Sequence, residues 1–483
     1  MPTFLQNPPL RPILAVIAMC LLVSAYLRLT LGFSGPYMDE ADYLFVGRIY
    51  LEGRDWASQT YIFGSDIPLY ILGFFDSLGG YMAARVGSAL LGILSLFFFF
   101  KFSQHLFKST TPAIFSVLVL ALAAPHIFIS KFATYDIICY TFFTAALWAG
   151  MRSIRTNSFK TLLLASTLFC LAFLSKYIAI AYAPFFFAIL FFKNKRHAVW
   201  SAVIVGAVAG IYILANSAEL TMLWQNHVVG SHAPKSSLAQ VISYILSYTA
   251  VLYSMYAIGV FFKKQFGFSR RMLVSMGVLS LPLIAYHVRS LDLISAFKHM
   301  IFPATFLAPV AGWMISTLLK TNFQPYFLKR LPYFILPVFT IIAVFQTRNM
   351  ENSFPDTRKM IAFLSNKIKP ETKVMSEDAY LFRYYFYPKM PMNHFAETGY
   401  HDNNLDGKFE EQDVIDAIWD GKFDYVFLTG QITPELTQKL REGVLPNSYI
   451  RIYSENFKNS EVMRRNAGGR MEIYGLKNGL IRK

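Results

Sequence analysis

Eleven runs of mainly apolar residues constrain this chain more than any motif in it. They lie at 12–32, 81–103, 112–130, 135–151, 160–175, 177–192, 197–215, 238–262, 272–288, 299–319 and 332–346. A helix needs about 20 such residues to cross the hydrocarbon core of a bilayer, and several of the runs approach that length or reach it. The composition agrees: 55% of the 483 residues are hydrophobic, 17% aromatic and only 15% charged, with a mean hydropathy of +0.40. Soluble globular chains carry nearer to about 25% charged residues. The expected fold is an α-helical polytopic membrane protein of about 11 transmembrane helices. The first run follows a short polar stretch with Arg11 and lacks a small-residue cleavage site, so it reads as an uncleaved anchor.

The net charge of +16 does not point to nucleic acid, because the surplus belongs to the membrane half. Residues 1–346 hold 25 Lys/Arg against 10 Asp/Glu, whereas residues 347–483 hold 20 against 19. With the N-terminus in the cytoplasm, the inner loops and span ends contain sixteen basic residues and no acid, and all ten acids of the membrane half fall on the outer side. Basic residues fix orientation by the positive-inside rule. An odd number of spans then places the tail outside the cytoplasm. Carboxylates are costly at membrane depth, so acids collected at one face suggest a polar chamber there, although outer loops also tolerate either sign.

The tail from 347 to 483 reads as a separate extracytoplasmic α/β domain. Helix-like stretches at 356–368, 411–420 and 433–442 alternate with short strand-like runs at Lys373–Ser376, Tyr425–Thr429 and Tyr449–Tyr453. The three cysteines, Cys20, Cys139 and Cys170, all sit in apolar runs and make neither a disulfide framework nor a CxxC zinc site. Glycine-rich phosphate loops are absent from the sequence, which removes support for cytoplasmic nucleotide chemistry.

The first outer loop, 33–66, carries six acids and two arginines, with Tyr43, Val46, Gly47, Tyr50 and Leu51 at helical spacing as for helices lying along the membrane interface. Asp39 and Glu40 follow the Gly35-Pro36 turn directly after the first span. Adjacent carboxylates suit general-base work or a divalent cation, and helix capping by Asp39 is an equally good local explanation. Asp136 is the only acid between residues 77 and 218, and Lys176 interrupts a nearly continuous apolar stretch from 161 to 192. His227 and His232, five apart without a third ligand, read as solvated loop residues rather than a metal site.

From Asp39-Glu40 onward the chain resembles the GT-C superfamily of polyprenyl-phosphate-dependent glycosyltransferases, in the branch with protein O-mannosyltransferases and the lipid A aminoarabinose transferase. Ile67-Pro68-Leu69-Tyr70 resembles the branch's Pro-Pro-Leu-Tyr segment. Tyr81 to Leu90 is similar to its Ala-x-Arg-x-x-Ser-Ala-Leu motif, and Lys131 to Asp136 to its outer turn with a second acid. Leu174-Ser175-Lys176-Tyr177 is similar to the Thr-Lys-Tyr/Gly turn, and Lys298-His299 with Pro303 and Pro309 to the late Arg-Tyr-x-x-Pro-x-x-Pro helix. The resemblance covers residues 10 to about 346. One place departs from it: where the branch often carries Lys or His before Pro-Pro-Leu, this chain reads Ser65-Asp66-Ile67-Pro68.

The resemblance implies an inverting transfer of a sugar from a polyprenyl-phosphate donor to a hydroxyl of a lipid, glycan or protein on the outer face of a bacterial inner membrane. In it Asp39 acts as base, Glu40 orients the acceptor or touches a metal, and Asp136 is a second carboxylate. Arg85, Lys176, Arg289, Lys298 and His299 are the candidates for the donor phosphate. No cofactor is required by the pattern, and a divalent cation at Asp39 and Glu40 is the one candidate. The competing classes are a transporter or flippase of lipid-linked sugars and a non-catalytic protein of polysaccharide assembly. Internal repeats and Gly/Pro-broken midspan pairs, which would favour transport, are not evident in the sequence.

Overall fold

The computed structural model describes residues 10–54, 63–191, 194–225, 236–293, 295–319, 330–399, 401, 410–457 and 469–477. His227 and His232 lie outside these residues. The chain divides into two compact units. One comprises Met1–Leu31, Ala57–Leu72 and Ala83–Thr347; the other comprises Gly32–Trp56, Gly73–Met82 and Arg348–Lys483. The tail thus shares its unit with two segments from the N-terminal part of the chain.

The first unit is helical. Among the described residues seven helices are long and apolar enough to cross a membrane, from Ile67–Phe107 to Leu331–Glu351, and four shorter apolar segments (Ile13–Leu29, Thr110–Ala121, Phe159–Ser175 and Tyr177–Ala188) fall in the remaining apolar runs of the sequence. The ends are set locally. Ser237 begins the Leu238–Phe261 helix with a reciprocal capping box, its hydroxyl accepting from the Gln240 N–H while the Gln240 side chain accepts from the Ser237 N–H. Ser158 and Asn194 cap the Phe159–Ser175 and Lys195–Ala215 helices through single side-chain acceptors. The Ile67–Phe107 helix is broken at Gly79 and Gly80, where Gly80 has φ +70°, a conformation that costs a residue with a Cβ but not glycine. The break falls just before residue 81, where the sequence begins its second span.

The second unit is built on a five-stranded sheet in the order β2-β1-β3-β5-β4, with β1 Val374–Ser376, β2 Phe395–Glu397, β3 Tyr425–Leu428, β4 Tyr449–Asn456 and β5 Arg470–Leu476. β1 runs parallel to both β2 and β3, while β5 is antiparallel to β3 and β4. Helices at Arg358–Ser365, Glu411–Trp419 and Pro434–Lys439 lie where the sequence placed helices. The core joins Met375, Val426 and Leu428 of the strands to Val414, Ile418, Leu440 and Leu445. The end of β1 is anchored by the fully buried Glu377. Its carboxylate accepts from the backbone N–H of Thr429 (2.6 Å) and Gly430 (2.7 Å) and from the hydroxyls of Thr429 (2.5 Å) and Thr437 (2.5 Å). Such saturation of a polar group by hydrogen bonds is what makes its burial tolerable.

The apolar side of the Asp39–Leu51 helix, expected along the membrane interface, is covered by protein of its own unit. Ala41, Tyr43, Leu44, Phe45, Val46 and Ile49 are all buried, and the helix packs on the Ala379–Phe386 helix of the same unit, with Phe45 against the rings of Tyr380 (6.2 Å) and Tyr387 (5.8 Å). An amphipathic pattern specifies an apolar partner but does not say whether that partner is lipid or protein. Arg48 on this helix binds Asp76 at 2.7 Å, and the Tyr384 hydroxyl donates to the same carboxylate at 2.6 Å.

Candidate active site

Two clusters of ionisable side chains contain most of the residues that the sequence singles out. In the first unit, Thr134 is extended and the next residue starts the Tyr135–Thr156 helix, which places Asp136 in its first turn, where a carboxylate is favoured by the helix dipole. The Thr134 hydroxyl donates to Asp136 Oδ2 at 2.9 Å. Two lysines from distant parts of the chain converge on this carboxylate: Lys176 Nζ lies 2.5 Å from Oδ1 and Lys298 Nζ 3.3 Å from Oδ2, and all three side chains are only 6% exposed. Lys176 also sits over the Tyr135 ring, and Lys298 lies near the rings of Phe132 and Phe297. His299 follows Lys298 and shares a 2.8 Å hydrogen bond with His287. His287 carried no signal in the sequence beyond being a histidine in an apolar run.

Lys176 is placed by its backbone. It ends the Phe159–Ser175 helix in an extended conformation, and the turn after it is clamped by residues 63–65: the Ser65 N–H donates to the Leu174 carbonyl and the Tyr177 N–H to the Phe63 carbonyl, both at 2.6 Å. The clamp needs glycine between them, because a Cβ on Gly64 would come within 2.4 Å of the Ser175 carbonyl oxygen. Gly64→Ala is therefore expected to push this turn outward and displace Lys176 from Asp136. The apparent melting temperature of the purified variant should fall, because the clash is with backbone and a buried ion pair is disturbed.

Arg85 and Arg289 do not contact Asp136. Arg85 is fully buried and donates to the Leu31 carbonyl at 2.5 Å, while Arg289 is exposed in the last turn of the Pro282–Ser290 helix.

In the second unit, Asp39 and Glu40 open the Asp39–Leu51 helix. Asp39 is its first residue rather than its cap; that position is held by Met38, whose φ of 50° is unusual for a residue with a side chain. The Met38 N–H is held at 2.7 Å by the Asp378 carboxylate, which also caps the Ala379–Phe386 helix through the Leu381 N–H at 3.1 Å. A strained residue fixed from outside, directly before the two carboxylates, orients them by more than local preference. Glu40 is fully buried and Asp39 partly so.

Asp42, Asp378 and Glu397 gather beside them, with Arg383 as the basic neighbour. Burial, reinforced by Glu397, Asp39 and Asp378, pushes the Asp42 carboxyl well above the usual range, and its Oδ1 is buried with no hydrogen-bond partner among the described residues. Burial also raises Asp378 to about 6 and, with Asp378 adding repulsion, Glu397 to about 8. A carboxyl whose folded pKa lies above its unfolded value holds a proton that the unfolded chain releases. Its stabilisation is full below about pH 4.5 and is lost as the pH rises through about 8. The apparent melting temperature of the full chain should fall by about 5 °C between pH 6 and pH 9, and Glu397→Gln should flatten that slope. Among the described residues no group of three or more His, Cys, Asp or Glu is arranged to hold a metal ion.

Comparison with known proteins gives this geometry a context. Residues 67–220, which include Asp136 and Lys176, match the family model described as dolichyl-phosphate-mannose-protein mannosyltransferase. The fold is similar to that of ArnT from Cupriavidus metallidurans bound to undecaprenyl phosphate, with TM-score 0.61 and 13% identity over 97% of this chain and 98% of that one. It is also similar to the oligosaccharyltransferase AglB from Archaeoglobus fulgidus in complex with an inhibitory peptide and a dolichol-phosphate, with TM-score 0.57 and 12% identity over 93% of this chain and 74% of that one. No curated protein matches this chain by sequence.

Proposed function

We propose that this chain, whose fold and family match are those of a GT-C membrane glycosyltransferase, transfers a sugar from a polyprenyl phosphate to a hydroxyl acceptor at the outer face of a bacterial inner membrane. The observation that carries the reading is the buried pairing of Lys176 and Lys298 on Asp136. Two ammonium groups prepositioned by one carboxylate suit a leaving group that gains negative charge as the bond from the anomeric carbon to the phosphate oxygen breaks, because preorganised charge in a dry site costs no reorganisation during the reaction. Arg85 and Arg289 are further cations for the lipid phosphate. The acceptor hydroxyl attacks the anomeric carbon from the opposite side, its proton passes to Asp39, and the configuration inverts. Glu40 orients the acceptor, which is a lipid, glycan or protein. The ligands of the two similar structures, undecaprenyl phosphate and a dolichol-phosphate, support a polyprenyl-phosphate donor.

The test is binding of undecaprenyl phosphate to purified protein. Lys298→Met should weaken binding by roughly 10- to 100-fold, the worth of one charge-assisted contact. Unchanged affinity would remove Lys298 from the donor site.

A further inference from the structure

His287 and His299 form a hydrogen-bonded pair whose proton positions follow from a single fixed point. His287 Nδ1 lies 2.8 Å from the backbone carbonyl oxygen of Asp292. A carbonyl only accepts, so Nδ1 of His287 carries the proton. In the neutral ring the other nitrogen, Nε2, is then an acceptor, and it lies 2.8 Å from His299 Nδ1. His299 must donate there, which leaves its own Nε2 without a proton. That atom is buried in a side chain only 6% exposed and has no hydrogen-bond partner among the described residues. The alternative, a cationic pair, would add positive charge beside Lys176 and Lys298, both of which are electrostatic neighbours of His299 together with Asp136. Tyr286 and Asp292 flank His287.

We infer that His287 is a positioning residue that fixes the tautomer of His299, so that the bare Nε2 accepts a hydrogen bond from a sugar hydroxyl of the lipid-linked donor. The inference rests on the transfer reaction proposed above. A phosphosugar presents two unlike groups, an anion that needs cations and hydroxyls that need acceptors. Asp136 has both oxygens engaged, Oδ1 by Lys176 and Oδ2 by Lys298 and Thr134. His299 Nε2 is the acceptor left open in this cluster, and an open buried acceptor is costly until a donor fills it. The role replaces the phosphate contact that the sequence suggests for His299, because a nitrogen without a proton does not donate to a phosphate oxygen.

The experiment has two arms, both on the full-length protein in nanodiscs. Nitrogen-15 spectra of histidine-labelled protein, with His299 assigned by its loss in His299→Gln, should show the proton on Nδ1 and an unprotonated Nε2. His287→Leu should move the proton to Nε2, and His287→Gln, which keeps an acceptor for His299, should retain the original form. In the second arm, His287→Leu should weaken binding of undecaprenyl-phosphate mannose or undecaprenyl-phosphate aminoarabinose, whichever the wild type binds, by about tenfold and that of sugar-free undecaprenyl phosphate by less than about twofold. His287→Gln should restore most of the difference. An Nε2–H form in the wild type, or equal losses for both lipids, would overturn the acceptor role alone. Failure of the wild type to bind any of these lipids would overturn it together with the transfer reaction.

Discussion

Asp136→Ala should cost the membrane unit about 3–5 kcal/mol of stability and lower transfer by at least about 100-fold, and the two losses should separate in a second variant. The stability loss follows from burial. Lys176 and Lys298 both place their ammonium groups on Asp136 with side chains only 6% exposed, so its removal takes the carboxylate from two desolvated cations. Breaking one side of a buried pair is costly because the other side remains in a poor solvent. Asp136→Ala combined with Lys176→Met takes away one of those stranded charges and should recover roughly half of the lost stability, measured as apparent melting temperature in detergent. Transfer should not recover, since on the proposed assignment the variant lacks the carboxylate and one of the cations for the donor phosphate together. Recovery of transfer along with stability would show the cluster to be architectural.

With Asp39 as the proposed general base, Asp39→Asn should reduce transfer by about 10³-fold while leaving folding and donor binding close to wild type, the range expected when such a base is replaced by a group that accepts hydrogen bonds but not protons. The substitution is nearly isosteric. The Met38 backbone and its hydrogen bond to Asp378, which help set the helix start, remain in place in the variant. Asp39→Ala should behave similarly, and a loss of stability confined to Ala would separate a helix-terminus contribution of Asp39 from its chemical one.

The parts of this protein that were legible in its sequence are those governed by the solvent. Lipid leaves no choice but helix for an apolar run, so the eleven runs could be placed from hydropathy, including the short Phe159–Ser175 and Tyr177–Ala188 segments that fall below a full span. The same cost made Asp136 and Lys176 conspicuous, as charges set in apolar surroundings, and the structure brings them into contact with Lys298. What the sequence did not reveal depends on contacts between distant residues. The helix after Asp39 shows an apolar face, but nothing local says that the Ala379–Phe386 helix covers it. The acidic group of Asp42, Asp378 and Glu397 draws on residues more than 300 positions apart, and His287 acquires meaning only from a partner twelve residues away across a turn. Gly64 is one glycine among 27 until the Ser175 carbonyl is seen against it. β2 and β5 were not among the runs read from the sequence, because β2 ends its apolar pair at Glu397 and β5 is interrupted by Glu472, so neither offers a clean apolar run.

The central claim, that this chain cleaves a lipid-linked sugar rather than carrying it, is tested most directly by reconstituting the wild-type protein in liposomes with radiolabelled undecaprenyl-phosphate sugars and a cell-envelope extract as acceptor. Label should leave the lipid and free undecaprenyl phosphate should appear in equal amount, with neither event in Asp39→Asn. Label that crosses the bilayer still attached to its lipid, at the same rate in both proteins, would contradict it.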